Sequence, residues 1–72
     1  MSTQVDARGL SCPQPVLMTI DTIKAEKKGE IEVLVDTETS RENVSRAAAN
    51  QGWDVANVAE EDGLFRITIR KD

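Results

Sequence analysis

The residue in this sequence best suited to covalent chemistry is Cys12, the only cysteine among 72 residues. A cysteine acts as a nucleophile or a metal ligand through its thiolate, so its surroundings must favour the anion. The chain contains no histidine, which removes the commonest general base and the commonest metal ligand. A Cys–His dyad within the chain is therefore excluded, and we expect no structural zinc site.

Two prolines after the cysteine predict a helix start. Pro13 disfavours the α conformation for Cys12, whereas proline itself suits the first helical position. We therefore place Cys12 at the N-cap, Pro13 at N1, Gln14 at N2 and Pro15 at N3. An N-cap side chain accepts from N2 or N3, and Pro15 has no N–H, so a Cys12 thiolate would accept from the Gln14 N–H.

The positive end of a helix dipole would stabilise such an anion. The effect is worth roughly 0.3–1 kcal/mol, which lowers the thiol pKa by less than about one unit from about 8.5. Arg8 is the nearest cation in sequence; it could hold the negative charge on Cys12, or it could pair with Asp6. The residues leave a second reading of Cys12 open, as a small buried hydrophobic residue that only caps a helix.

Composition narrows the class of protein. The length predicts a single domain over 1–72 with a small core. A net charge of −4 argues against nucleic acid as a primary partner and gives no attraction to an anionic membrane. One cysteine forms no internal disulfide and leaves no resolving thiol for a redox enzyme. No apolar run is long enough for a signal peptide or a membrane span, so we expect a cytoplasmic protein.

The hydrophobic pattern predicts six elements in the order β-α-β-α-β-β. The predicted strands span 3–7, 30–36, 53–59 and 64–71, and the predicted helices span 13–27 and about 39–51. The first β-α-β unit should be parallel, and Asp62-Gly63 predicts an antiparallel hairpin between the last two strands. The acids Glu60, Glu61 and Asp62 lack the alternate spacing of a calcium loop, so we predict a solvated turn and no metal.

Three finer predictions concern packing and capping. The first helix should bury Val16, Ile20, Ile23 and Lys27, with Leu17 beside them, and Gly29 should end it. Thr39 and Glu42 have the form of a capping box at the start of the second helix, which should turn Val44, Ala47, Ala48 and Gln51 inward. Val55 should be the surest inward residue of the third strand, and the uncovered face of the sheet should be mostly polar.

The string Asp6-x-Arg8-Gly9-Leu10-x-Cys12-Pro13-x-Pro15-Val16 resembles the signature of the TusA/SirA-like small sulfur-carrier family. Ser40-Arg41-Glu42-Asn43-Val44-x-Arg46, with Gly52, is most similar to the YedF-type branch, which is linked to selenium and sulfur metabolism. The resemblance implies a two-layer α+β sandwich, with two helices on one face of a four-stranded mixed sheet. It also implies that Cys12 carries a sulfane sulfur as a persulfide.

The same resemblance implies roles and partners. Cys12 would be the catalytic residue of a sulfurtransferase-like carrier without a cofactor, receiving sulfur from a cysteine desulfurase or a rhodanese-like protein and passing it to an acceptor protein. Arg8 and Gln14 would stabilise the sulfur, and the remaining motif residues would shape the site: Asp6, Gly9, Leu10, Pro13 and Pro15. Two alternatives stay open, a selenium carrier and a non-catalytic binding or regulatory module that docks partners on the open sheet face.

Overall fold

The structure is a computed structural model that describes residues 3–9 and 14–72. Its six elements follow the predicted order β-α-β-α-β-β. They are β1 (Thr3–Asp6), α1 (Gln14–Glu26), β2 (Gly29–Val35), α2 (Glu38–Asn50), β3 (Asp54–Glu61) and β4 (Leu64–Lys71).

The four strands form one mixed sheet in the order β1-β2-β4-β3. β1 and β2 are parallel, as expected for strands joined by a helical crossover. β4 pairs antiparallel with both β2 and β3. In the β3–β4 turn, Asp62 and Gly63 both have positive φ, +52° and +79°, which is the type I′ geometry expected of an Asp-Gly hairpin.

Both helices cover the same face of the sheet, where the core lies. Alternate residues of the central strands β2 and β4 have no exposed surface: Ile31, Val33, Val35, Ile67 and Ile69. The helices add Ile23, Val44 and Ala48 to the same cluster. The predicted two-layer α+β sandwich is therefore confirmed, and the alternation in β2 follows the predicted pattern.

The opposite face of the sheet is mostly polar. Gln4 donates to Glu32 across β1 and β2 at 3.0 Å, and Arg66 of β4 lies 3.5 Å from the same carboxylate. Leu34 is the exception, because it points to this face and is nevertheless buried. In register it lies between Asp6 of β1 and Arg66 of β4.

The predicted inner face of α1 was wrong at two positions. Leu17 is 48% exposed, and Lys27 lies beyond the helix end with φ +64°, so the helix ends before Gly29. Ile23 is buried as predicted, Val16 and Ile20 are half-buried, and the other buried positions of the helix are Pro15 and Thr19. Thr19 can occupy a core position because its hydroxyl donates to the Pro15 carbonyl at 2.8 Å, which satisfies its polar group within the helix.

The cap of α2 also differs from the prediction. Thr37, not Thr39, is the N-cap, and its hydroxyl accepts from the Ser40 N–H at 3.1 Å. Thr37 has the extended backbone of an N-cap (φ −133°, ψ 150°), whereas Thr39 lies within the first helical turn. At the other end, Gln51 is an exposed C-cap and does not face inward.

Replacing Thr37 by alanine should lower the free energy of unfolding by about 1 kcal/mol, because the Ser40 N–H at the helix start loses its acceptor. Thr39→Ala is the matched control at an exposed position of the same turn, where a change within roughly 0.5 kcal/mol is expected. Urea denaturation of both variants measures the difference. Equal losses in the two variants would contradict the assignment of the cap.

The prediction that Val55 faces the core was also wrong. Val55 and Val58 are 37% and 39% exposed, since β3 is an edge strand of the sheet. A register shift between Val55 and Asn57 further disturbs the pairing. Trp53, just before the strand, is the residue that is buried there. Its backbone N–H donates to the Ala48 carbonyl at 2.9 Å.

Candidate functional site

The described residues approach the predicted site from both sides. β1 and the turn that follows it lead to Gly9, and α1 begins at Gln14. Of the predicted site residues, Cys12, Leu10 and Pro13 lie outside the described part of the chain. The structure describes the others: Asp6, Arg8, Gly9, Gln14 and Pro15.

Asp6 and Arg8 form a bidentate ion pair. Arg8 Nε donates to Asp6 Oδ1 at 2.8 Å, and Nη2 donates to Oδ2 at 2.7 Å. The Arg8 backbone N–H adds a third bond to Oδ1 at 3.2 Å. The two parallel bonds fix the plane of the guanidinium. Pairing with Asp6 was one of the two readings of Arg8; its stabilisation of a sulfur anion stays a prediction.

This pair shifts the pKa values of both groups away from their ordinary values. The hydrogen bond from the Arg8 side chain, helped by the Arg8 backbone N–H, lowers the pKa of Asp6 to about 2. The Asp6 hydrogen bond raises the pKa of Arg8, and the charge of Asp36 adds to the effect. Each shift strengthens the charged form of its group, so the Arg8 cation is already held by a carboxylate.

Acid should break this pair at an unusually low pH. A lowered pKa means that the pair is intact above the ordinary Asp value of 3.8 and is lost as pH falls through about 2. Replacing Arg8 by alanine removes the main cause, so the Asp6 pKa should rise from about 2 toward 3.8. NMR titration of the Asp6 carboxyl carbon in both proteins measures this. An unchanged titration in Arg8→Ala would contradict the assigned cause.

Gly9 is held in place by a distant carboxylate. Its N–H donates to Asp36 Oδ2 at 2.8 Å, although the two residues are 27 positions apart. Gly9 has φ +76°, and a Cβ built on it would meet nothing within 4 Å. The sequence left open whether Gly9 serves a positive φ or close packing, and the structure favours the first, because a positive φ suits glycine and a Cβ would have room.

The first turn of α1 has no acidic residue, so none of its side chains would oppose a negative charge at the helix N-terminus. Gln14, the first described residue of α1, is exposed. Pro15 is buried and anchors the turn, because its carbonyl accepts the Thr19 hydroxyl. The described start of α1 is thus fastened to the core through Pro15 and open to solvent at Gln14.

A shallow groove of about 430 Å³ runs between α1 and α2, close to the start of α1. Val16, Ile20 and Ala47 give it an apolar floor, and Arg46 and Asn50 lie along it.

Among residues 3–9 and 14–72, no group of three His, Cys, Asp or Glu side chains could hold a metal ion. In the same part of the chain, neither helix is long and apolar enough to cross a membrane.

Asp36 is the residue that sequence reasoning missed. The alternation pattern places it only at the end of a strand, and its partner Gly9 lies in the turn after another strand, β1. One signal was available, since an acid directly after a buried parallel strand lies at the carboxyl edge of the sheet, where functional groups of open α/β sheets gather.

Comparison with known proteins agrees with this architecture. A solved SirA-like protein from Desulfitobacterium hafniense superposes with a TM-score of 0.86, at 33% identity, over 97% of this chain and 96% of that one. The domain is therefore of the SirA-like α+β class. The family described as "Sulfurtransferase TusA" matches residues 3–71, and the chain belongs to that family.

Relatives of known name lie within the same family. A protein of Methanocaldococcus jannaschii named "Putative sulfur carrier protein" is 38% identical over 69 residues, covering 94% of this chain and 92% of the relative. The Escherichia coli protein named "Putative sulfur carrier protein YedF" is 33% identical over 69 residues, covering 94% and 90%. The resemblance read from the cysteine-proline motif is therefore confirmed.

Proposed function

We propose that this protein is a sulfur carrier that accepts a sulfane sulfur on Cys12 as a persulfide and passes it to an acceptor protein. The observation that carries the proposal is the match to the sulfurtransferase family over residues 3–71, in a chain whose only cysteine is Cys12. The names of the relatives support the same role.

The transfer step needs only thiol chemistry. The Cys12 thiolate attacks the terminal sulfur of a persulfide on the donor protein, the donor S–S bond breaks, and the donor cysteine leaves as a thiolate. A new S–S bond forms on Cys12, so the step consumes no oxidant or reductant. Delivery repeats the exchange, with a nucleophile of the acceptor attacking the terminal sulfur and Cys12 leaving as thiolate.

The described surroundings suit this step. α1 begins two residues after Cys12, with an exposed Gln14 and no acid in its first turn. A negative sulfur near that N-terminus would be stabilised by roughly 0.3–1 kcal/mol. In this proposal Gln14 supplies a backbone N–H, and Arg8 supplies a positive charge that is largely balanced by Asp6.

Large partners fit the described surface better than a small substrate does. The groove between α1 and α2 is shallow and open, and Leu17 nearby is half exposed. In this proposal the donor is a cysteine desulfurase or a rhodanese-like protein, and the acceptor is a second protein. A net charge of −4 would favour partners with a basic docking surface.

Intact-mass analysis tests the proposal. The protein is incubated with a cysteine desulfurase and cysteine, and we expect its mass to rise by that of one sulfur atom. Dithiothreitol should remove the addition, since a persulfide is reducible. A mass that stays unchanged while the desulfurase itself becomes loaded would contradict a carrier role with this class of donor.

A further inference from the structure

Asp36 extends the β1–β2 pairing beyond the last backbone bond. The Ala7 N–H donates to the Leu34 carbonyl at 2.9 Å. Two residues further along each chain, the Gly9 N–H donates to a carboxylate oxygen of Asp36 at 2.8 Å. In a parallel ladder, alternate N–H groups of one strand point toward the same neighbour. The next acceptor in that ladder would be the Asp36 backbone carbonyl, and the Asp36 side chain accepts the bond in its place.

The acceptor lies between two well-anchored residues, whereas the donor lies in an exposed turn. Asp36 follows Val35, which has no exposed surface, and precedes Thr37, the N-cap of α2. Gly9 is exposed, with φ +76° outside the strand region. Within residues 3–9 and 14–72, the hydrogen bond to Asp36 is the one that joins Gly9 to the rest of the fold. The carboxylate therefore ties the turn after β1 to the carboxyl end of β2.

We propose that Asp36 is a positioning residue for sulfur transfer, which fixes the Gly9 backbone three positions before Cys12. This rests on the proposed function, because it assigns Asp36 a part in the reaction of Cys12. Asp36 acts through Gly9 and touches no reacting atom. Its exposed position means that the core does not depend on it, so its effect should fall on transfer rather than on folding.

Two variants of Asp36 separate the hydrogen bond from the charge. Asp36→Ala removes the acceptor, so exchange of the Gly9 amide hydrogen should become at least about tenfold faster, and sulfur loading from a desulfurase should slow about tenfold, as misplacement of a reacting group does. Asp36→Asn keeps an acceptor oxygen, and both rates should return to within about threefold of wild type. Asp54→Ala, at the far edge strand β3, removes one negative charge as a control and should change neither rate.

Gly9 amide exchange tests the hydrogen bond, and sulfur loading tests the positioning role, so each can be contradicted separately. If Gly9 exchange is unchanged in Asp36→Ala, or if Asp36→Asn behaves like Asp36→Ala, the anchoring hydrogen bond is overturned. If Gly9 exchanges faster and loading is unaffected, the positioning role is overturned. A wild-type protein that never loads would contradict the proposed function itself, and Gly9 exchange would still decide whether Asp36 anchors the turn.

Discussion

Replacing Cys12 by serine is expected to abolish sulfur loading while leaving the fold intact. A serine hydroxyl stays protonated at neutral pH and cannot attack a persulfide sulfur as a thiolate does. Cys12 is the only cysteine in the chain, so no second thiol can replace it. We expect loading to fall at least about a thousandfold, because the missing group forms the new bond.

Ser11→Ala is the matched control, since it changes the adjacent residue and keeps the thiol. Intact mass after incubation with a desulfurase measures loading, and circular dichroism measures the fold. We expect Ser11→Ala to load like wild type and both variants to keep the wild-type spectrum. A Cys12→Ser protein that still gains one sulfur would place the chemistry at another residue and overturn the proposal.

The largest loss of stability is expected from Ile67→Ala. Ile67 has no exposed surface and lies in register between Val33 of β2 and Val58 of β3. Truncating a buried isoleucine costs about 2–5 kcal/mol through lost burial and the cavity that remains. A domain of this size has a total stability of only about 4–11 kcal/mol, so the variant should be partly unfolded or close to it.

Thr68→Ala is the control, because it places an alanine in the same strand without removing a core side chain. Thr68 is the next residue of β4, on the polar face opposite Glu32, and its loss should cost less than about 1 kcal/mol. Urea denaturation at constant pH compares the two variants. If Ile67→Ala and Thr68→Ala destabilise the protein equally, the helix-covered face of the sheet is not the core of this fold.

The elements predicted well from the sequence are those whose signals are local. Alternation in Glu30–Asp36 gave β2 with Ile31, Val33 and Val35 inward, and Asp62-Gly63 gave the hairpin. These patterns depend on the two-residue period of a strand and on a turn that requires two positive φ values. Neither requires knowledge of the rest of the chain.

The predictions that were wrong depended on neighbours that the local sequence does not reveal. Val55 would be buried in a central strand, but β3 is at the edge of the sheet. The Val55 side chain is therefore 37% exposed. The predicted inner face of α1 did not include Thr19, which is buried because its hydroxyl donates to the Pro15 carbonyl. Strand order and internal hydrogen bonds decided both positions.

The site was predictable in part for the same reason. The sequence singled out Asp6, Arg8 and Gly9, and the structure shows two of them paired. It could not indicate Asp36, whose bond to Gly9 spans 27 positions and depends on the parallel pairing of β1 with β2. The roles of Cys12, Leu10 and Pro13 stay predictions, since these residues lie outside the described part of the chain.

The most direct test of the central claim follows the sulfur atom itself. A desulfurase is loaded from isotope-labelled cysteine and mixed with this protein, and the carrier is then digested and mapped by mass spectrometry. We predict one labelled sulfur on the peptide that contains Cys12, released by dithiothreitol. The claim would be contradicted if the donor were labelled and the Cys12 peptide never acquired label, or if label were found only on another residue.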